Sequence, residues 1–248
     1  MGKIIAIANM KGGVAKTTTT ANVGAILAQK GYKVLLVDLD AQANLTTYYL
    51  GEEPKRTIYN AMVEESPLPI LSLSPNLDIV PSSIEMSGIE SKVVESLDKL
   101  EILKDLLEPV QKEYNFILLD CPPSLELGTI NALVTATDLY IPLSAEAIPI
   151  RGLKVILDFV AKVKKRKNPS LNFSGIIITR WEGTTLNRDL EKGLRGKYGE
   201  IVFNTRIRKN VAIQEAPTQF KDIVSYSPQS NGALDYLSLT EEIIQRNK

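Results

Sequence analysis

The 248-residue sequence predicts an α/β fold, with one mostly parallel, twisted sheet flanked by helices in a single domain spanning residues 1–248. Short apolar runs of strand length alternate with helical patterns along the chain, and such alternation produces parallel sheets with right-handed crossovers. Several runs are continuously apolar, which is typical of strands that are covered on both faces. The sequence contains no internal repeat and no obvious linker between domains, so a single domain is the simplest organisation.

The strands and helices follow one another in a regular order. The Pro- and Ser-rich segment Ser66–Ser87 is predicted to be a connection around one short strand. The predicted strands are Ile4–Ala8, Val34–Val37, Leu77–Val80, Phe116–Leu119, Leu139–Leu143, Ile176–Ile178 and Ile201–Phe203. The predicted helices are Lys16–Lys30, Leu97–Glu113, Leu125–Thr135, Gly152–Arg166, Thr185–Tyr198 and Ala233–Arg246.

The composition excludes several classes of protein. The chain has no histidine, which rules out a histidine-based catalytic triad, a histidine general base and a histidine-ligated metal. Its one cysteine, Cys121, rules out a disulfide framework or a cysteine-ligated zinc site within one chain, and we expect it to serve packing. No run approaches the roughly 18 consecutive apolar residues of a membrane span, so we expect a cytoplasmic protein.

The charge is balanced overall but unevenly distributed. The chain carries 29 Lys and Arg against 29 Asp and Glu, yet residues 151–221 alone hold 16 basic and 6 acidic residues. Such a basic half is typical of a surface that binds a polyanion such as DNA, although solvated helix faces remain the alternative for the run at 162–167. The candidate DNA-binding residues are Lys162, Lys164, Lys165, Arg166, Lys167, Arg206, Arg208, Lys209 and Lys221.

A glycine- and lysine-rich loop follows the first predicted strand. A strand, a loop and a helix in this order are the context that a phosphate-binding loop requires, because its backbone N–H groups and the helix N-terminus attract anions. Lys16 would reach the β- and γ-phosphates of a nucleotide, and the Thr17 hydroxyl would ligate Mg²⁺, so we expect ATP and Mg²⁺ as cofactors. An ordinary turn before a helix is the alternative. The loop reads Asn9-Met10-Lys11-Gly12-Gly13-Val14-Ala15-Lys16-Thr17-Thr18.

This loop resembles the deviant Walker A motif, K-G-G-x-x-K-[ST], of the ParA/MinD superfamily of dimerising ATPases. The resemblance implies that Lys11 crosses a dimer interface and contacts the phosphates of the ATP bound by the partner chain. A cation supplied in this way stabilises charge on the transferred phosphoryl group, as an arginine finger does. The family has glycine where Ala15 stands, and a left-handed backbone there would strain alanine by about 1–2 kcal/mol.

Acidic residues follow two of the predicted strands. Asp38 and Asp40 end the second strand and Asp120 ends the fourth, where carboxylates of a parallel sheet lie close to a phosphate loop. The two segments resemble the family motifs V-D-x-D-P-Q and L-L-D-x-P-P-S. The resemblance implies that Asp40 positions or activates the attacking water, that Asp38 lies near the magnesium shell and that Asp120 holds Mg²⁺. Capping of strand ends is the alternative for each aspartate taken alone.

A later segment resembles the partition branch of the superfamily. The resemblance implies that Ile207 and Arg208 lie beside the adenine, although Arg208 stands where proline is usual. Because the loop starts at residue 9, we expect no N-terminal helix-turn-helix domain. We also expect no membrane docking, because the acidic C-terminal helix is unlike the basic amphipathic helices that dock to membranes. The matching residues are Ile207-Arg208-Lys209-Asn210-Val211, Glu215-Ala216-Pro217 and Tyr226-Ser227-Pro228-Gln229-Ser230.

The resemblance implies an ATP-hydrolysing DNA-partition protein that segregates plasmids or chromosomes. In such a protein ATP and Mg²⁺ join two chains into a homodimer, the dimer binds double-stranded DNA non-specifically on the nucleoid, and a ParB-like partner stimulates slow hydrolysis and release. Two alternatives remain open on the sequence. One is a ParA-like ATPase that positions a protein cargo, and the more remote one is a metabolic ligase with a phosphate loop.

Overall fold

The computed structural model describes residues 2–52, 54–93, 99–145 and 150–247. The strands within these residues are β1 Lys3–Ile7, β2 Val34–Asp38, β3 Leu71–Ser74, β4 Leu77–Val80, β5 Phe116–Asp120, β6 Asp138–Ser144, β7 Asn172–Trp181 and β8 Val202–Arg208. They form one sheet in the order β3-β4-β2-β5-β1-β6-β7-β8, in which only β3 and β4 pair antiparallel. The prediction of one mostly parallel sheet flanked by helices is confirmed.

Helices cover both faces of the sheet. Side chains of β1 alternate between the two resulting cores, with Ile4 and Ala6 on one face and Ile5 and Ile7 on the other. Helices α3 to α8 pack on the first face, and α1, α2 and α9 to α11 pack on the second. Their bounds are α1 Lys16–Gln29, α2 Asn44–Leu50, α3 Ile58–Glu64, α4 Ile89–Lys92, α5 Ile102–Leu107, α6 Leu127–Thr135, α7 Ile150–Arg166, α8 Thr185–Tyr198, α9 Val211–Glu215, α10 Ile223–Tyr226 and α11 Asn231–Arg246.

Two predicted elements differ in the structure. The helix predicted over Leu97–Glu113 is shorter, because only Ile102–Leu107 is α-helical and a separate 3₁₀ turn follows at Gln111–Glu113. Leu97 itself lies outside the described residues. The prediction of one strand within Ser66–Ser87 is also wrong. The segment holds both β3 and β4, which form a hairpin whose turn uses the left-handed backbone of Asn76, with φ at 67°.

The order of the strands brings three carboxyl ends together. β1 lies between β5 and β6, and β2 pairs with the other edge of β5. In the register of these strands Ile7 pairs with Asp120, and Asp120 pairs with Asp38. Ligands of such sheets bind outside the carboxyl ends of the strands, so the fold places two of the predicted aspartates beside the loop that follows β1.

Candidate functional site

The loop between β1 and α1 borders open space at the N-terminus of the helix. Gly13 and Ala15 both have left-handed backbones, with φ at 70° and 67°. A Cβ atom added at Gly12 or Gly13 would meet no heavy atom within 4 Å among the described residues, so space lies beside the loop. No described side chain caps the N-terminus of α1, which leaves its first N–H groups for an anion. The strain expected at Ala15 is present, because the left-handed backbone costs an L-residue about 1–2 kcal/mol.

Hydrogen bonds from neighbouring strands hold the loop between β1 and α1 in place. The Asn9 amide donates to the carbonyl of Pro142 in β6 over 2.7 Å, and its side-chain oxygen accepts from the backbone N–H of Lys11 over 3.0 Å. The Thr179 hydroxyl in β7 donates to the carbonyl of Val14 over 3.1 Å. The loop is therefore fixed at its start and near its middle by the two strands on one side of β1.

The two lysines of the loop have different surroundings. Lys16 is the first residue of α1 and is buried, and its Nζ donates to the backbone carbonyl of Lys11 over 3.4 Å. Burial lowers the pKa of Lys16, while the nearby Asp120 carboxylate acts in the opposite direction. Lys11 is exposed. Lys16 thus belongs to the interior of its own site, and Lys11 is accessible to another molecule.

Asp120 has a buried carboxylate oxygen without a partner. Its Oδ1 accepts from the Thr20 hydroxyl over 3.4 Å, and its Oδ2 has no hydrogen-bond partner within the part of the chain that the structure describes. Burial, and after it the neighbouring Asp38 carboxylate, raises the pKa of Asp120 well above its usual value. A buried carboxyl oxygen of this kind suits a hard cation, whose charge favours the ionised form, and a hydroxyl such as that of Thr17 is a second ligand that Mg²⁺ accepts. These residues fit the expected magnesium.

The two aspartates after β2 have separate environments. Asp38 is fully buried, and its Oδ2 accepts from both the N–H and the hydroxyl of Thr46, over 2.9 and 2.8 Å. Burial raises the pKa of Asp38 to about 6. The Oδ1 of Asp38 accepts from the N–H of Asp40, whereas the Asp40 carboxylate accepts only from the N–H of Gln42 among the described residues. Asp38 thus fixes the turn that presents Asp40 to the surface of the site.

Replacing Thr46 by valine tests this support. The Thr46 hydroxyl also accepts from the N–H of Ser82 over 2.8 Å, so valine leaves a buried N–H without its acceptor and removes one donor from Asp38. We expect the free energy of unfolding, measured in urea, to fall by about 2–3 kcal/mol. Thr47→Val replaces an exposed neighbour in the same helix, and it should change the free energy of unfolding by no more than about 0.5 kcal/mol. Equal stability of the two variants would contradict the assignment.

These elements surround a single cleft of about 560 Å³, a size typical of small-molecule sites. Residues of the phosphate loop and residues at the end of β8 both line the cleft. Asp38 and Asp120 do not line the cleft and lie beneath it in the sheet. The predicted site residues that do line it are Gly12, Gly13, Ala15, Lys16, Thr17, Thr18, Asp40, Ile207, Arg208 and Lys209.

Known proteins share both the sequence and the fold. A sequence model of the AAA domain family matches residues 2–173. The chain is 39% identical to the sporulation initiation inhibitor protein Soj of Bacillus subtilis, over 98% of each chain. It is also 39% identical to the chromosome-partitioning ATPase Soj of Treponema pallidum, over 100% of this chain and 99% of that protein. The chain belongs to the Soj/ParA family. As a Soj/ParA protein it has an activity of the ParA type, with ATP hydrolysis as its general reaction.

A solved structure extends the similarity to a bound nucleotide. Cobyrinic acid a,c-diamide synthase from Mycobacterium smegmatis, solved with ADP and magnesium, superposes with a TM-score of 0.86. It is 29% identical, and the alignment covers 99% of this Soj/ParA chain and 95% of that chain. Among the described residues, none of the helices combines the length and the apolar character needed to cross a bilayer.

The basic residues of this Soj/ParA chain fall into two groups. One group is exposed and makes no ion pair with any described residue; its members are Lys162, Lys164, Lys165, Arg166 and Lys221. The other group is paired with acidic side chains, in the pairs Lys167–Glu101 at 2.8 Å, Arg206–Glu191 at 2.7 Å, Arg208–Asp235 at 2.6 Å and Lys209–Glu182 at 3.3 Å. Arg208 lines the cleft, and its guanidinium donates hydrogen bonds to the Asp235 carboxylate.

Several residues of the site carry no signal in the sequence. Asn9, Thr20 and Thr179 hold the loop or Asp120 through contacts that join positions 100 or more residues apart. Of these three residues only Asn9 belongs to a predicted motif, as the first residue of the loop. Arg180, which also lines the cleft, lies in a part of β7 that the apolar run did not mark, because the strand continues three residues beyond Ile178.

Proposed function

We propose that this chain is a partition ATPase that binds ATP and Mg²⁺ in the 560 Å³ cleft and uses hydrolysis to control its own dimerisation and its hold on DNA. The observation that carries the proposal is one arrangement: an uncapped helix N-terminus, a buried lysine and a buried carboxylate oxygen without a partner converge below the phosphate loop. We take residues 1–248 to act as one ATPase domain. The Mycobacterium smegmatis structure, solved with ADP and magnesium, supports the nucleotide.

Each part of the cleft has a chemical task in this proposal. The loop N–H groups and Lys16 bind the phosphates, because a helix N-terminus and a desolvated cation both favour a polyanion. Thr17 and Asp120 would hold Mg²⁺, which neutralises charge on the β- and γ-phosphates. Asp40 accepts a proton from, or orients, the attacking water at the surface of the cleft, and Asp38 keeps Asp40 in place.

Lys11 makes the site dependent on a second chain. It is exposed, although its backbone carbonyl accepts from Lys16 and its N–H donates to Asn9. A fixed backbone with an accessible ammonium group is suited to reach the phosphates of a partner chain. ATP would then join two protomers, and its hydrolysis would release them.

We assign DNA binding first to α7. Four exposed residues of α7 have no acidic partner among the described residues, namely Lys162, Lys164, Lys165 and Arg166, whereas Arg206, Arg208 and Lys209 each form an ion pair. Binding of phosphates by unpaired cations releases counterions and needs no base contacts. A dimer doubles the number of such contacts, so dimerisation strengthens the binding.

The first experiment measures DNA retention without nucleotide, with ADP and with ATP, at one salt concentration. We expect strong retention with ATP alone. A triple variant, Lys162→Ala with Lys165→Ala and Arg166→Ala, should reduce it at least about tenfold, with the slope of log affinity against log salt becoming shallower by about 0.9 for each DNA phosphate that is no longer neutralised. The matched control removes three exposed lysines elsewhere, Lys55, Lys104 and Lys112. Retention that is equal with ADP and ATP contradicts the proposed switch, and an equal reduction in both triple variants contradicts the assignment to α7.

The partner and the location follow from the same proposal. A ParB-like DNA-bound protein would accelerate hydrolysis, and the ATP-bound dimer would reside on the nucleoid in the cytoplasm. The relatives named for chromosome partition support this role, and a protein cargo in place of a replicon would use the same chemistry. Turnover that rises with a ParB-like protein and DNA together is the expected result.

A second candidate function has one observation in its favour. The structurally similar Mycobacterium smegmatis protein is named as a cobyrinic acid a,c-diamide synthase. If the chain were a metabolic ligase, turnover would rise with a small carboxylic acid in the absence of DNA and protein partners. The higher identity to the Soj proteins, 39% against 29%, favours partition.

A further inference from the structure

Arg180 has a backbone conformation that is unusual inside a strand. Its φ is 54°, in the left-handed region, although it lies in β7 one residue before the strand ends at Trp181. The pairing of β7 with β8 shifts register between Ile178 and Trp181, so the strand is bent at this position. A left-handed L-residue costs about 1–2 kcal/mol, and such residues persist where the surroundings hold them, often at functional sites.

The bend directs two consecutive side chains of β7 onto the phosphate loop. The Thr179 hydroxyl donates to the carbonyl of Val14 over 3.1 Å, and Nη1 of Arg180 donates to the carbonyl of Gly13 over 3.4 Å. Arg180 also lines the nucleotide cleft. Thus two successive peptide carbonyls of the loop are each held by one side chain from the same strand end.

Holding these carbonyls fixes the direction of the loop's N–H groups. A trans peptide is planar, with its C=O and N–H pointing in opposite directions. A donor on the Gly13 carbonyl therefore turns the N–H of Val14 the other way, and a donor on the Val14 carbonyl does the same for the N–H of Ala15. Without the guanidinium, Gly13 is free to rotate, because glycine tolerates both signs of φ.

We propose that Arg180 is a positioning residue for the nucleotide, which orients the Gly13–Val14 peptide. The inference rests on the proposed binding of ATP. It makes Arg180 a second side chain of the same chain, besides Lys16, on which the affinity for phosphates depends. Since it acts on the loop before chemistry begins, its removal affects binding more than the chemical step.

The test uses three variants of Arg180, and their comparison separates the effect of its charge from the effect of its backbone strain. Arg180→Gly relieves the left-handed strain while it removes the guanidinium, Arg180→Gln removes the charge alone, and Arg180→Lys keeps the charge. We expect Arg180→Gly and Arg180→Gln to raise the dissociation constants of MgADP and MgATP about tenfold, with KM raised and kcat changed less than about twofold. Arg180→Lys should fall between them and the wild type. Arg188→Gln, an exposed arginine on α8, is the matched control and should bind as the wild type does.

Thermal unfolding without nucleotide completes the test. A purely conformational role for Arg180 predicts that Arg180→Gly is more stable and binds MgATP as tightly as the wild type, and that result would overturn the inference. The expected result is an Arg180→Gly protein of equal or higher melting temperature with weaker nucleotide binding. If the wild type itself fails to bind MgATP, the proposed function fails; if the wild type binds and all Arg180 variants match it, only the role of Arg180 is refuted.

Discussion

Lys16→Ala is expected to lower the affinity for ATP and ADP at least about 100-fold, which corresponds to about 2.7 kcal/mol. Lys16 is buried in the cleft, where water does not screen its charge, and it is the lysine that a phosphate loop directs at the β- and γ-phosphates. Isothermal titration calorimetry with MgADP and MgATP measures this decrease directly.

The control for Lys16→Ala is Lys192→Ala, which removes an exposed lysine of α8 that does not line the cleft. It should bind both nucleotides as the wild type does. We expect circular dichroism to show that Lys16→Ala is folded, since α1 keeps a strong helix former at its first position. A folded Lys16→Ala protein with wild-type affinity would refute the assignment of the phosphate loop.

Asp40→Ala should retain ATP affinity within about threefold and lower turnover at least about 100-fold, the range that removal of a general base commonly costs. Asp40 lines the cleft and, among the described residues, its carboxylate accepts only the N–H of Gln42. A single-turnover assay with saturating MgATP separates binding from hydrolysis.

Asp40→Asn is the conservative partner of this variant. Asparagine retains an acceptor for the Gln42 N–H, so it preserves the turn after β2 while removing the charge. Both variants should therefore fail in hydrolysis to a similar degree. Hydrolysis at the wild-type rate in either one contradicts the role assigned to Asp40.

The central strands could be predicted because strands that are buried on both faces appear in the sequence as continuous apolar runs. β2 is buried along its whole length, so the apolar run Val34–Val37 marks it fully except for the terminal Asp38. β3 is mostly exposed at the edge of the sheet and alternates Leu and Ser, so no apolar run revealed it. The ends of β7 were missed for the same reason, because polar residues such as Asn172 and Arg180 extend the strand on either side of the apolar run Ile176–Ile178.

The residues of the site likewise divide into those that the sequence predicts and those that it does not. A motif that is contiguous in sequence forms one part of the cleft, as the loop from Lys11 to Thr18 does through Gly12, Gly13 and the residues from Ala15 to Thr18. Contacts between distant segments leave no local pattern: the hydrogen bond from Thr179 to the loop joins positions 165 apart, and Glu191 meets Arg206 only because α8 packs beside β8. The basic residues of the sequence could be counted but not divided into paired and unpaired ones, since the division depends on these contacts.

If ATP joins two chains through Lys11, the oligomeric state of Asp40→Ala must depend on the nucleotide, and analytical ultracentrifugation measures that state. We expect a dimer with saturating MgATP, a monomer with MgADP, and a monomer again with MgATP after the further change Lys11→Ala. Sedimentation of Asp40→Ala as a monomer in saturating MgATP would show that ATP does not join the chains.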